Sequence, residues 1–281
     1  MPLCAASGRY CIELSFCMVR RILYIVSVVF LCGCEVIHEN ERLIPVEPAD
    51  PQGERTHLLI EYTGFRCVNC PTATEMAESL SQLYGEQLIV VAMHPASNPF
   101  TQGNYDYTCP EADICYQFMG GTASTPFPVG AIDMALANGD YFLNMSEWPS
   151  RLQSAIEKET SAPFLAVQTQ QNEQTVQVTV QVCSDIPTSC RLAVWLIEDN
   201  VSGVQAMPDG TVNTAYLHRH MLRTTSDGSP WGKSIEINKT LSVFQTEITV
   251  PEICVPEHCS VVALLLDPND YHVLQVKQTD I

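Results

Sequence analysis

The feature that most constrains this chain is Cys67-Val68-Asn69-Cys70-Pro71, which stands between an apolar run and an amphipathic one. The run before it, His57 to Phe65, predicts a strand. The stretch after it places Ala73, Met76, Ala77, Leu80 and Leu83 at intervals of three and four, which predicts a helix to about Tyr84. Gly85 then stands where a helix ends, and Gln87 to His94 predicts a second strand, buried in a parallel sheet. Strand, helix and strand in this order form a βαβ unit with a Cys-x-x-Cys at its first junction. There the two sulfurs fall within bonding reach on one turn. The positive end of the helix favours Cys67 as an exposed thiolate nucleophile, with Cys70, one turn in, as the buried resolving thiol.

The compartment is written in the first 34 residues. From Met18 the chain carries Arg20 and Arg21, then an apolar run from Ile22 to Phe30, then Leu31-Cys32-Gly33-Cys34. The run is about half the roughly 20 residues a membrane helix needs, so it reads as a signal peptide rather than a span. The Leu-Cys-Gly-Cys ending resembles a lipobox, which implies cleavage before Cys34 and attachment of lipid to it. Residues 1–17 read as an upstream start that is not used, 18–33 as the leader, and 34–54 as a polar, proline-bearing tether. Removing Arg9, Arg20, Arg21 and Glu13 leaves 11 basic against 31 acidic residues, a net charge of −20. Such a surface repels nucleic acid and anionic lipid heads, so the expected membrane contact is the lipid alone. Eight further cysteines fall into local pairs, Cys67/Cys70, Cys109/Cys115, Cys183/Cys190 and Cys254/Cys259, which in an exported protein read as disulfides. The last two pairs are each placed to staple a hairpin, with crossing between 183 or 190 and 254 or 259 as the alternative.

Past Pro95 the pattern becomes loop-like through Cys109 and Cys115 to Gly120-Gly121. A strand is expected from Val129 to Met134, and a helix from about Trp148 to Thr160 with Ser150 and Gln153 as its capping box. From Pro163 the period changes to two: Thr175–Val182, Leu192–Ile197, Phe244–Val250 and Val261–Asp267 predict an antiparallel sandwich. The expected domains are thus 55–161 and 162–281.

Two residues extend the motif. Glu61 stands six positions before Cys67, and Phe127-Pro128 precedes a strand. With the Cys-x-x-Cys they resemble the thioredoxin-like family. The resemblance implies an α/β thioredoxin-like domain followed by an all-β immunoglobulin-like sandwich, thiol-disulfide exchange at Cys67, proton transfer to Cys70 assisted by Glu61, and a cis-proline at Pro128. The chain departs from that family in carrying Arg66 where thioredoxin has tryptophan, and Val68-Asn69 where it has Gly-Pro. Arg66 is expected to lower the Cys67 pKa further, and the altered pair leaves the redox poise open. Thr63-Gly64-x-x-Cys67-x-Asn69-Cys70-Pro71, Trp195 to Val201, Tyr216 to Arg223 and Trp231-Gly232 are similar to a narrower group, the outer-membrane-protein-28-related lipoproteins of Bacteroides-type bacteria. That resemblance implies the outer membrane and says little about activity.

No cofactor and no metal are expected. His218 and His220, two apart in an expected strand, face one side as a conceivable metal pair, against which stands the reading as hydrogen-bonded surface histidines. His94, at a strand end, is weighed as a modifier of the site against a place at the core edge. Two functions follow. In the first, a tethered oxidoreductase acts on a protein thiol or disulfide. In the second, a surface lipoprotein uses its sandwich to hold an outer-membrane partner or to adhere, and all its cystines are structural.

Overall fold

The computed structural model describes residues 52–159 and 161–281. The leader, Cys34 and nearly all of the tether lie outside the described residues. The described part is rich in β-structure: β1 (Gln52–Glu54), β2 (His57–Tyr62), α1 (Cys70–Tyr84), β3 (Leu88–Met93), α2 (Pro110–Phe118), β4 (Val129–Ile132), α3 (Trp148–Lys158), β5 (Ser161–Asn172), β6 (Thr175–Cys183), β7 (Thr188–Glu198), β8 (Val201–Ala206), β9 (Val212–His218), β10 (Met221–Thr225), β11 (Lys233–Ile237), β12 (Ser242–Thr249), β13 (Cys259–Leu266) and β14 (Val273–Asp280). Among the described residues, no helix is long and apolar enough to cross a membrane.

The main sheet runs β14-β13-β7-β10-β3-β2-β4, with β11 paired to the outer part of β7. A second sheet, β1-β5-β6-β12, packs on it, and β8 with β9 forms a separate hairpin. β2 and β3 are parallel, as the βαβ reading requires, and β4 returns antiparallel to β2. Strand pairing crosses the expected boundary at residue 161. β10 bridges β3 through Met221 and Ala92, the Ala92 amide donates to the His220 carbonyl at 2.7 Å, and β1 pairs with β5.

Alternation explains why the central strands are apolar throughout. Ala193, Trp195 and Ile197 of β7 enter one core, while Val194 and Leu196 enter another on the opposite face. β13 divides in the same way between Val262 and Leu264 on one side and Val261, Ala263 and Leu265 on the other. The first of these cores also takes Leu58, Ile60, Tyr62, Val91 and Met93 from β2 and β3, and Ala112, Cys115 and Tyr116 from α2. α1 and α3 cover the far face of β2 and β3 through Ala73, Ala77, Leu80, Trp148 and Leu152.

Several expectations need correction. α1 ends at Tyr84 before Gly85 (φ 54°), but Leu83 is 71% exposed and is not part of its packed face. The segment between Cys109 and Gly120 contains α2, signalled by Pro110 in the first turn, Glu111 and Asp113 beside it, and Gly120 (φ 84°) after its end. The capping box before α3 uses Asn144 and Glu147, not Ser150 and Gln153. The Asn144 amide donates to Glu147 Oε2 at 2.9 Å, and Gln153 reaches Glu157 instead.

The disulfide framework is also different. Cys67 and Cys70 are bonded. Cys109 and Cys115 are buried thiols. Cys109 is extended just before α2, and Cys115 lies inside the helix. Cys183 ends β6 and Cys190 lies in β7, strands of different sheets, so the expected staple has no hairpin to close. Cys254 and Cys259 are buried thiols on either side of a short 3₁₀ turn.

Candidate functional site

The motif lies in the connection from β2 to α1. Tyr62 ends β2, the Cys67 amide donates to the Gly64 carbonyl at 2.9 Å, and α1 begins at Cys70. Cys70 therefore opens the helix rather than lying one turn inside it, and Cys67 stands just ahead of the helix N-terminus. The Cys67–Cys70 disulfide has a Cα–Cα distance of 5.4 Å.

Glu61 lies beneath the motif on β2, paired with Ala92 of β3 on one side and Gly130 of β4 on the other. It is 1% exposed, and burial raises its carboxyl to about 7 against the opposing hydrogen bond from Thr74. Thr74 Oγ1 donates at 2.8 Å to Glu61 Oε1 and also lies 3.3 Å from the Cys70 carbonyl, so one hydroxyl joins the carboxyl to the first turn of α1. The Phe127–Pro128 peptide bond is cis. Phe127 and Pro128 line an open groove of about 400 Å³ together with Asn69 and Thr72, so the motif and the cis-proline share one surface depression.

Cys67 is not exposed. Its relative accessibility is 2%, because the chain closes over it from two directions. From one side the Arg66 amide donates to the Phe100 carbonyl at 3.0 Å, and Gly64 packs so closely on Phe100 that a Cβ there would strike its backbone. From the other side comes the β8–β9 hairpin. Gln205 Nε2 donates to the Cys67 carbonyl at 2.9 Å, and the Ala206 amide donates to the Phe65 carbonyl at 2.7 Å. The hairpin is seated by Tyr107, whose hydroxyl accepts from the Val204 amide at 3.0 Å and leaves no room for a Cβ on Gly203. Sequence reasoning missed Gln205 as a neighbour of the motif. Its separation of 138 residues from Cys67 and its unremarked polar character left no local signal.

The histidines separate. His218 ends β9 and packs in a ring cluster with Tyr107, Tyr216 and His94, where burial lowers its pKa to about 4. His220 takes a left-handed φ of 53°, which breaks the strand, and its ring lies between Glu78 (2.9 Å) and Asp199 (3.3 Å). Burial pulls its pKa down, but those two carboxylates outweigh burial and hold it above its ordinary value. The two rings do not form the expected pair on one strand face. His94 is 2% exposed among the same rings, and burial keeps it well below its ordinary pKa.

A family model for outer membrane protein Omp28 matches residues 117–281. A search of curated proteins found no match. Among solved structures, HBP35 of Porphyromonas gingivalis is similar at a TM-score of 0.65 and 16% identity, over 81% of this chain and 76% of that one, which shows a shared fold. A protein of Agrobacterium tumefaciens aligns at 0.47 and 11% identity, over 80% and 95% of the two chains. A domain of the outer membrane lipoprotein Omp28 from P. gingivalis aligns at 0.30 and 21%, over 42% and 86%.

Proposed function

The chain belongs to the Omp28 family of outer membrane proteins, and from that premise we propose a lipoprotein, anchored through Cys34, whose Cys67–Cys70 site exchanges disulfides with protein thiols. In this reading residues 55–161 are a thioredoxin-like scaffold, and residues 162–281 are an immunoglobulin-like sandwich joined to it edge to edge. The observation that carries the reading is Glu61, a buried carboxyl raised to about 7 and linked by Thr74 to the turn that bears Cys70. A carboxyl near neutrality takes and returns a proton at the pH where exchange operates. When a substrate thiolate attacks Cys67 Sγ, a mixed disulfide forms there, the Cys67–Cys70 bond breaks and Cys70 would leave as a thiolate protonated by Glu61; when Cys70 later attacks Cys67 Sγ and expels the substrate thiolate, Glu61 would recover the proton. The groove shared by Asn69 and Pro128 would hold the extended segment of the partner.

The test is turnover of a protein disulfide by the mature chain and by Cys67→Ser. The variant should be inactive and wild type active. Equal rates would remove the proposal.

The burial of Cys67 favours a second reading, in which Cys67–Cys70 is structural and the protein works as a partner-holding or adhesive surface lipoprotein. Under it, Cys67 would stay unreactive after reduction, and loss of the protein would alter partner capture rather than the redox state of other proteins.

A further inference from the structure

Cys254 and Cys259 occupy a second site, remote in sequence from the motif, that brings a cation and a carboxylate to a pair of thiols. Cys259 opens β13, Cys254 lies in the preceding loop, Glu198 ends β7 and Arg223 comes from β10. Glu198 and the two sulfurs have donor atoms all within 4.8 Å of one another. Arg223 Nε stands 3.2 Å from Cys254 Sγ and 3.2 Å from Glu198 Oε2. Its position is fixed by Nη1, which donates to the Asp106 carbonyl at 2.9 Å. Glu198 Oε1 in turn accepts from the Val255 amide at 2.7 Å and holds the loop in place. The guanidinium thus stands beside one sulfur and the carboxylate, and the cluster carries its own counter-cation. Cys259 Sγ also lies 3.4 Å from the Val255 carbonyl. Both sulfurs are buried, but the loop that covers them meets solvent: Ile253 and Val255, on either side of Cys254, are about half exposed.

We propose that Cys254 and Cys259 form a second thiol-disulfide exchange site, in which Arg223 holds Cys254 as the attacking thiolate, Cys259 resolves, and the substrate is an external disulfide. The Cys254 thiolate attacks one sulfur of the external disulfide. A Cys254–S bond forms, the external S–S bond breaks, and the first thiolate leaves and is protonated from solvent. Cys259 then loses its proton to solvent and attacks Cys254 Sγ, expelling the second thiolate. The two protein thiols are oxidised by two electrons to a cystine, and the external disulfide is reduced to two thiols. The polarity follows from the surroundings. The hydrogen bond from Cys259 and the charge of Arg223 lower the Cys254 thiol despite burial and the nearby Glu198, while that same hydrogen bond and burial raise Cys259. This site does not depend on Cys67 or Cys70, and either pair can fail without the other.

The experiment incubates the reduced mature chain with glutathione disulfide, quenches with acid and maps adducts by mass spectrometry. Wild type should close the Cys254–Cys259 bond, and Cys259→Ser should stop at glutathione on Cys254. Cys254→Ser should acquire glutathione on Cys259 at least about tenfold more slowly, as expected for a thiol with a higher pKa. Arg223→Gln should slow adduct formation at pH 7 by about tenfold and recover at higher pH, whereas Arg223→Lys, which keeps the charge, should remain faster than Gln. Several results would overturn the proposal: faster reaction at Cys259, no adduct at either cysteine in the folded protein, or rates indifferent to Arg223→Gln at every pH. Protection of both thiols by stoichiometric zinc in the absence of disulfide would replace it with a metal site.

Discussion

Glu61 is where the account is most exposed to test at the scale of one residue. Its carboxyl binds a proton more tightly folded than unfolded, because burial penalises the charge. The stability that this group confers is therefore complete below about 4.5 and is lost as pH rises through about 7. That loss amounts to about 3 kcal/mol, from 1.36 kcal/mol per pH unit. Glu61→Gln removes the dependence. The unfolding free energy of the variant should gain on wild type by about that amount between pH 4.5 and 8, measured by urea titration at each pH. A constant difference across the range would mean that Glu61 is not buried as a neutral acid. Glu61 was legible in the sequence through the resemblance of its segment to thioredoxins, in which an acidic residue stands six positions before the first cysteine. Gln205 and the arginine–cysteine cluster were not, because Gln205 stands 138 residues from Cys67 and Arg223 stands 31 residues from Cys254.

At the scale of the element, the β8–β9 hairpin decides whether the motif is open. Gln205 gives two of its side-chain contacts to the carbonyls of Gly64 and Cys67, and Gly203 is pinned against Tyr107. Gln205→Ala should raise the alkylation rate of reduced Cys67 several-fold while costing about 1 kcal/mol of stability, the ordinary worth of a buried hydrogen bond. Gly203→Ala should act in the same direction by displacing the hairpin. Unchanged Cys67 reactivity in both variants would show that the hairpin is not the cover. Elements of strong period were readable: α1 and β3 fall close to their expected bounds, as do β6, β12 and β13. Those missed have weaker local signatures. β8 and β9 are largely polar or half exposed, and α2 is a nine-residue helix flanked by loops whose cap residues are its main signal.

Over the whole molecule, the consequence of the sheet order is cooperativity. β3 and β13 share one core, and β10 joins β3 to β7, so the part bearing the motif and the sandwich cannot lose their packing independently. Hydrogen exchange in rising denaturant should give the amides of 88–93 and 259–266 the same opening free energy. Two separated transitions would mean two autonomous bodies. The sequence reading placed a boundary at residue 161 because the period changes there. A change of period marks a change of local architecture, however, and does not reveal which edges pair. The measurement that bears most directly on the central claim is the redox equilibrium of Cys67/Cys70 in the mature chain, poised in dithiol and glutathione buffers and read by alkylation and mass spectrometry. The account predicts a midpoint above about −270 mV with Cys67 trapped selectively, whereas a midpoint below roughly −300 mV with Cys67 unreactive would contradict it and mark a structural cystine.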